Sequence, residues 1–280
     1  MIYTIGEPTM RATAAAIAAV FCLAGCSDRV SEKRERSEHP ERAAFDESKV
    51  IDLTYAFNAD SVYWPTAERF QLTRAARGRN EAGDWYASNN YAASEHGGTH
   101  LDAPLHFAEG GNATAQIPLT QLIGPARVID IRDQCDDDRD YQLTAEDIAD
   151  HEKIHGQIPP GSVVLIHTGF GRYYPDAKQY LGNDTRGVAK DLHFPGIGAD
   201  AARVLVTRRV DLVGLDTASL DHGPSVAFPT HRILNQANIP GLENVANLDR
   251  LPPTGATVIA LPMKIEDGTG GPCRIIAILP

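Results

Sequence analysis

Residues 96–106 read His96-Gly-Gly-Thr-His100-Leu-Asp102-Ala-Pro-Leu-His106 and form a dense group of candidate metal ligands. The three histidines and the aspartate stand at even positions, so on an extended strand their side chains would share one face. A straight strand at ~3.3 Å per residue would still place His96 and Asp102 roughly 20 Å apart, too far to share a cation. We therefore predict a strand that bends at Gly97-Gly98 and at Ala103-Pro104 and turns all four side chains inward.

A segment bent in this way would bring imidazoles and a carboxylate together on one ion. This mixed set of nitrogen and oxygen donors suits Zn²⁺ or Mn²⁺, with Fe²⁺ as a further option, because no thiolate is present to demand a softer metal. The chain contains ten histidines, and a histidine is more often an ordinary polar residue than a ligand. The spacing alone leaves both interpretations open, and it specifies no reaction.

The composition of the 280-residue chain indicates a globular protein with a sizeable core, since 42% of its residues are hydrophobic and 22% are charged. The formal net charge of −11 argues against a nucleic-acid partner, because binding to phosphates needs surfaces rich in Lys and Arg. No run of about 18 apolar residues occurs, so we do not expect a transmembrane helix.

The N-terminal region has the organisation of a bacterial export signal. Arg11 precedes an apolar stretch, and Leu23-Ala24-Gly25-Cys26 is similar to a lipobox, in which the cysteine becomes the lipidated first residue. An ordinary signal peptide and a buried helix are the alternatives. Ser27 after the cysteine favours the outer membrane as the destination.

The segment that follows is polar and charged, as expected of a flexible tether. The predicted organisation is thus a signal peptide with a lipobox over 1–26, a tether over 27–48 and one domain over 49–280. The domain would lie in the periplasm and contact the membrane only through the lipid on Cys26. Cys135 and Cys273 lie within the domain, where an oxidising compartment permits a disulfide, but sequence leaves their pairing open.

The body of the chain alternates strand-like and helix-like segments, which indicates a single α/β domain. Runs rich in β-branched residues predict buried strands; the predicted strands are 50–54, 85–95, 127–131, 162–167, 211–215, 257–261 and 274–279. Cap residues and helical spacing predict helices over 144–155, 198–209 and 230–238.

The motif at residues 96–106 resembles the signature of the cyclase-like metal-dependent amidohydrolase family, which includes bacterial kynurenine formamidase and isatin hydrolase. The resemblance extends over roughly residues 49–280 and includes a His231 and Glu243 pair twelve residues apart. It implies a swivelling β/β/α fold with mixed sheets and flanking helices. It also implies a homodimer or a larger homo-oligomer.

The resemblance assigns a role to each candidate residue. His96, His100 and Asp102 would bind a first divalent metal, and Asp102 and Glu243 would bridge to a second that His231 completes. One or two ions per subunit, Zn or Mn, are therefore implied. His106 would be the catalytic acid and base, and Trp64 would line the substrate pocket.

The chemistry implied is hydrolysis of a small aromatic amide by metal-activated water, with arylformamidase activity on N-formylkynurenine first. Opening of a cyclic amide such as isatin, or of a lactone, is the alternative within the class. Export raises a question, because tryptophan catabolism is cytoplasmic, so scavenging of another amide is a further option. A non-catalytic metal- or ligand-binding lipoprotein is the alternative of another class.

Several other polar residues are open to more than one interpretation. Glu95 has the opposite parity from the ligands and is expected to point away from them. Asp216, Asp221 and His222 follow a predicted strand and either line the pocket, orient a ligand or form a turn. His151 and His155 form an i,i+4 pair that is expected on an exposed helix face.

Overall fold

A computed structural model describes residues 46–280. The export signal, the lipidated Cys26 and nearly all of the tether lie outside the described residues, so those expectations remain predictions. The described residues belong to one compact unit. Among them, no helix has the length and apolarity needed to cross a membrane.

The described chain forms twelve strands and six α-helices. In chain order they are β1 (Val50–Asp52), β2 (Gln71–Arg79), β3 (Trp85–Ala92), β4 (His100–Asp102), α1 (Leu119–Leu122), β5 (Ile123–Asp130), α2 (Arg132–Asp137), β6 (Gln142–Leu143), α3 (Ala145–His155), β7 (Val163–His167), α4 (Ala177–Leu181), β8 (Gly196–Ile197), α5 (Ala199–Arg208), β9 (Leu212–Leu215), α6 (Pro229–Gln236), β10 (Gly241–Glu243), β11 (Thr254–Pro262) and β12 (Gly270–Ile278). All seven predicted strands and all three predicted helices are present, which confirms the α/β class.

The main sheet is mixed and has the strand order β1-β12-β11-β5-β7-β9-β10-β4. The central strands β5, β7, β9 and β10 run parallel to one another, and the flanking pairs are antiparallel. Strand β4 pairs with β12 as well as with β10, so the order of strands returns on itself. A short strand that carries two candidate ligands therefore closes the sheet.

Alternation along the central strands divides the core into two clusters on opposite faces of the sheet. In β7, Val164 and Ile166 pack in a cluster with Ile148 of α3 and Leu205 of α5. Val163 and Leu165 of the same strand join a second cluster. Strands with both faces buried read as continuous apolar runs, which is why β7 was recognisable from sequence.

The thiols of Cys135 and Cys273 are free and buried, and they belong to different core clusters. The question of a disulfide is thereby answered for this structure, since one thiol packs on each face of the sheet. Burial raises the pKa of both thiols far above the ordinary value, so neither is a reactive nucleophile.

Strands β2 and β3 form a separate two-stranded hairpin whose residues are almost all exposed. Four large hydrophobic side chains on it are more than half exposed; these are Leu72, Trp85, Tyr86 and Tyr91. The hairpin returns to the body at Ser94, whose backbone N–H donates to the Glu68 carbonyl oxygen at 2.9 Å. Its base therefore adjoins the segment that begins at His96.

Candidate active site

The ligand segment is not one continuous strand. His96 precedes strand β4, Gly97 and Gly98 have positive φ angles of 154° and 58°, and a 3-10 turn over Pro104–His106 follows the strand. The chain thus bends at the two predicted places, but His106 reaches the site from a turn rather than from a strand. The structure has both predicted bends, but the prediction that one strand continues through His106 is wrong.

Pairing of the sheet brings the second group of candidate ligands to the first. Glu243, the last residue of β10, is in register with His100, the first residue of β4. Helix α6 begins at Pro229 and supplies His231 from its first turn. Three distant parts of the chain therefore meet at one end of β10.

All seven residues predicted for the site line one cavity of about 300 Å³. The ligand candidates are largely buried, and the cavity opens past aromatic side chains. The seven residues are Trp64, His96, His100, Asp102, His106, His231 and Glu243.

The two buried carboxylates lie at the centre of the cluster. His100 Nε2 is 3.2 Å from Asp102 Oδ1 and 3.4 Å from Glu243 Oε2. His231 Nε2 is 3.1 Å from both Asp102 Oδ2 and Glu243 Oε1. His96 Nδ1 lies 2.6 Å from Asp102 Oδ1. Asp102 thus touches all three imidazoles.

These contacts fit a divalent cation. His100 Nδ1–H donates to the Gly98 carbonyl oxygen at 2.9 Å, which leaves Nε2 as the ring's lone-pair atom. That Nε2 is buried and has no hydrogen-bond partner among the described residues, and an unpaired buried polar atom is costly unless a ligand satisfies it. Two groups in the described chain have ligand atoms within 4.8 Å of one another: His100, Asp102 and Glu243, and His96, Asp102 and His106.

The protonation of the cluster shows what a cation would replace. Burial opposes protonation of His100, but the close contact with Asp102 and its charge outweigh burial and raise the pKa of His100 to about 9. Burial, with the charge of Asp102, raises the pKa of Glu243. His100 thus holds a proton between the carboxylates, and a bound metal would displace it.

Each proposed imidazole ligand is held by a second group. Asp221 Oδ2 lies 2.7 Å from His231 Nδ1, and the Asp221 carboxylate also accepts the backbone N–H groups of Thr230 and His231. An acceptor on the far ring nitrogen fixes the tautomer and orientation of a metal-binding histidine. Of the three residues after β9 left open by sequence, Asp221 is therefore the orienting one. The other two, Asp216 and His222, do not line the active-site cavity.

The support for His96 was missed from sequence. Its Nε2 is 2.9 Å from Thr269 Oγ1, and that hydroxyl donates to Glu95 Oε2 at 2.6 Å. Glu95 was expected to point away from the ligands, but its carboxylate supports His96 through Thr269. Parity arguments fail where the chain bends. Thr269 lies far along the chain in a Gly-rich turn, and no local pattern identifies it.

His106 differs from the other histidines of the site. It is half-buried, its ring stacks on His96 with centroids 3.9 Å apart, and its ring nitrogens make no hydrogen bond to a described residue. Burial lowers its pKa to about 4 although the charge of Asp102 opposes this. At neutral pH the ring is therefore uncharged, with a lone pair available to accept a proton.

Part of the cavity wall is aromatic. Trp64, Phe107 and Phe228 line the cavity, and the Trp64 and Phe228 rings meet edge to face with centroids 6.3 Å apart. Tyr63 also lines it, and its buried hydroxyl has no hydrogen-bond partner among the described residues. The cavity therefore offers flat apolar surfaces, which suits an aryl ring.

The chain matches known proteins over most of this domain. The family model described as "Putative cyclase" matches residues 51–222. Isatin hydrolase from Roseibium aggregatum is 36% identical over 207 residues, which is 71% of this chain and 77% of that protein. Kynurenine formamidase from Salinibacter ruber is 31% identical over 231 residues, 81% of this chain and 96% of that one.

A solved structure supports the same relationship. Isatin hydrolase A from Labrenzia aggregata, bound to benzyl benzoate, superposes with a TM-score of 0.75 at 32% identity, and the match covers 82% of this chain and 93% of that one. This chain therefore belongs to the cyclase family of metal-dependent hydrolases, as the resemblance implied.

Proposed function

We propose that this member of the cyclase family hydrolyses the carbonyl–nitrogen bond of a small aromatic amide. One observation carries the proposal. The buried, unpartnered His100 Nε2 lies between two carboxylates at the end of a cavity with aromatic walls. A cation site alone would not need that cavity, and an aromatic pocket alone would not need the ligands.

The reaction adds one water across the amide. The water oxygen bonds to the carbonyl carbon, the carbon–nitrogen bond breaks, and a proton from water moves to the departing nitrogen. A divalent cation, Zn²⁺ or Mn²⁺, would polarise the carbonyl and lower the pKa of bound water to near 7. His96, His100, Asp102, His231 and Glu243 are the residues that would hold one or two such ions.

His106 is the proposed acid and base. It lies beside the ligand cluster as a neutral ring, so it can accept the water proton and return it to the leaving nitrogen. In an aryl amide that nitrogen is conjugated to the ring, so a weaker acid suffices than for a peptide. Trp64 and Phe228 would hold the ring during the transfer.

Among aromatic amides, we place cyclic amides of the isatin type first. The sequence and structural similarity to isatin hydrolases supports this order, at 36% identity and a TM-score of 0.75. N-formyl aryl amides are the second candidate, supported by the similarity to kynurenine formamidase over 96% of that protein.

Activity and metal content together test the assignment. The metal-loaded domain should hydrolyse isatin or N-formylaniline, and His106→Ala should lower kcat by at least about 100-fold while metal content by elemental analysis stays near that of the unmodified protein. Loss of metal in His106→Ala would make His106 a ligand instead, as its place near His96 and Asp102 allows.

A second set of experiments tests the proposed metal ligands and the alternative of a non-catalytic protein. His100→Ala and Glu243→Ala should each lower bound metal, and full occupancy in both would remove these residues from the ligand set. A metal-loaded protein that turns over no formamide, cyclic amide or lactone in a broad panel would favour the metal-binding lipoprotein.

We also propose that the enzyme is exported and anchored by a lipid on Cys26, with its domain in the periplasm. The apolar stretch before the lipobox-like Leu23-Ala24-Gly25-Cys26 supports this location. Cys26→Ser should move the protein from the membrane fraction to the soluble fraction. Retention in the membrane would contradict lipidation at that residue.

Finally, we propose a homodimer or a larger homo-oligomer in which the β2–β3 hairpin contacts a second copy. Strand β2 carries Arg74, Arg77 and Arg79 and no acid, whereas the chain has a net charge of −11, so this strand complements an acidic surface on a second copy. Exposed Trp85 and Tyr86 supply apolar contact area. Trp85→Ser with Tyr86→Ser should shift the mass measured by light scattering toward the monomer; an unchanged mass would place the interface elsewhere.

A further inference from the structure

A second cavity of about 610 Å³ adjoins the active-site cavity. Trp64 and Phe228 line both cavities, so these two rings separate them. Ligand pockets in proteins have volumes of about 300–1,000 Å³. The volume of the first cavity is at the low end of that range. A molecule that occupied both cavities could be considerably longer.

The dividing rings are held in a specific arrangement. Phe228 has φ 47° and ψ 52°, a left-handed conformation that a bulky residue rarely adopts. Its backbone N–H donates to Ser225 Oγ at 3.3 Å, and helix α6 with His231 begins at the next residue. Backbone strain of this kind persists where the surrounding structure imposes it, and it concentrates at functional sites. The fold therefore places the Phe228 ring between the two cavities.

The chemistry of the second cavity selects a neutral, apolar group. Leu192, Pro224 and Val226 line it, and Val226 is 91% exposed at its edge. Lys190 and Asp191 also line it, so the lining has no net formal charge. An alkyl or aryl group would bury apolar surface against Leu192, Pro224 and Val226.

We propose that the second cavity is a substrate subsite that binds an apolar substituent, aryl or alkyl, attached to the ring of the scissile amide. The inference rests on the proposed function and narrows it. The preferred substrate is an extended aryl amide whose reacting carbonyl lies at Asp102 and Glu243 while its second group passes Trp64 and Phe228.

Binding can be tested without turnover. The chain has two tryptophans, so in Trp85→Phe the fluorescence of Trp64 reports on ligands at the boundary of the two cavities. The probes are aniline and 4-benzylaniline, the amines that the corresponding formamides would release. Burial of the second ring should make 4-benzylaniline bind at least about tenfold more tightly than aniline. Equal affinities would overturn the proposal, whether or not the enzyme hydrolyses either formamide.

The second test of the subsite measures selectivity between small and extended substrates. For the matched pairs N-formylaniline with N-formyl-4-benzylaniline, and isatin with 5-benzylisatin, kcat/KM should favour the extended member of the hydrolysed pair. Ala189→Trp and Val226→Trp, which partly fill the second cavity, should reduce that preference by at least about fivefold and change kcat/KM for the small member less than twofold.

Val188→Trp is the matched control, because Val188 is on the same segment but does not line the cavity. It should leave the preference intact. Equal effects of the blocking variants on small and extended substrates would contradict a subsite. Tight binding of 4-benzylaniline with no turnover of any amide would support the subsite and contradict the proposed function instead.

Discussion

At the scale of single residues, the candidate ligands depend on partners that do not touch the metal position. Asp221 holds His231, the Gly98 carbonyl oxygen holds His100, and Thr269 with Glu95 holds His96. Each of these groups accepts a hydrogen bond from one ring N–H and thereby leaves the other ring nitrogen free to bind a metal. The orienting groups are therefore as informative about the site as the ligands.

Asp221→Asn should lower metal affinity by about 10–100-fold. The amide has only one acceptor oxygen, so it cannot serve His231 Nδ1 and both backbone N–H groups as the carboxylate does. Competition with a chromogenic chelator measures the change. Asp140→Asn is the control, because Asp140 makes the same kind of contact, 2.7 Å to His193 Nδ1, away from the ligands. Equal effects of the two variants would mean that Asp221 has no special role.

His151 shows where residue-level prediction failed. It was expected on the surface, but it is 8% exposed and its Nε2 has no partner among the described residues. Ile148, three residues earlier in α3, is fully buried, so the two share the inner face of the helix. The i,i+4 pairing with His155 was correct, with centroids 4.8 Å apart. Spacing thus identified the pair but not the face that it occupies.

Burial, together with the charges of His155 and Arg127, lowers the pKa of His151 to about 4. As pH falls below ~6.5 the unfolded chain takes up this proton first. Stability associated with His151 is therefore complete above that pH and is lost progressively down to about pH 4.

His151→Leu should consequently be less sensitive to acid, by about 1–2 kcal/mol between pH 7.5 and 5. Urea unfolding of both proteins at the two pH values measures the difference. An identical loss in the variant and the unmodified protein would show that His151 titrates normally in the folded state.

At the scale of elements, the sequence identified long, regular segments and missed short ones. Strand β10 has three residues, too few to show alternation, and it is a strand because β9 and β4 pair with it. Strand β2 is polar and exposed along its length, so it shows no buried face. Local patterns cannot predict such elements, since their stability comes from partners distant in sequence.

The bend at Gly97-Gly98 was predictable because only glycine tolerates it. A Cβ on Gly98, which has φ +58°, would lie 2.5 Å from Phe57 Cε1. The Gly98 carbonyl oxygen also accepts from His100 Nδ1 and from Asn244 Nδ2, at 2.9 and 2.7 Å. Any shift of this peptide therefore moves a proposed ligand.

Gly98→Ala should reduce stability by about 2–4 kcal/mol, from the positive φ and the forced contact, and should also weaken metal binding. Gly83→Ala separates the two causes, because Gly83 has φ +87° on the hairpin with nothing within 4 Å of the added Cβ. Thermal unfolding should show a small loss for Gly83→Ala and a clearly larger one for Gly98→Ala. Equal losses would mean that the Phe57 contact relaxes without cost.

At the scale of the whole molecule, alternating segments sufficed to predict an α/β domain. The motif sufficed to predict that its own four side chains line one site. The order of strands could not be predicted, because β12 pairs with β4 although the two are far apart in sequence. Gly270 of β12 is in register with Asp102 of β4. Pairings of that kind depend on the complete fold. The Thr269 contact with His96 follows from the same pairing and was missed for the same reason.

Removal of the metal should lower the melting temperature of the whole domain by roughly 5–10 °C. A ligand present at 100 times its Kd stabilises the folded state by about 2.7 kcal/mol, and 1 kcal/mol corresponds to about 2–4 °C at this chain length. Scanning fluorimetry with dipicolinate, followed by readdition of Zn²⁺ or Mn²⁺, measures the shift. His100→Ala should show little response to either treatment; a full response would place the stabilising ion elsewhere.

The pairing of β4 with β12 also has a consequence for the order of events during synthesis. The ligand motif leaves the ribosome well before β12, whose residues Gly270 to Pro272 hold one side of it in place. A nascent chain therefore possesses His96, His100 and Asp102 long before it possesses a metal site. If the chain crosses the membrane unfolded, it would acquire its ion from the compartment in which it arrives, and a chain that ends before β12 would carry the whole motif without the strand that holds it in place.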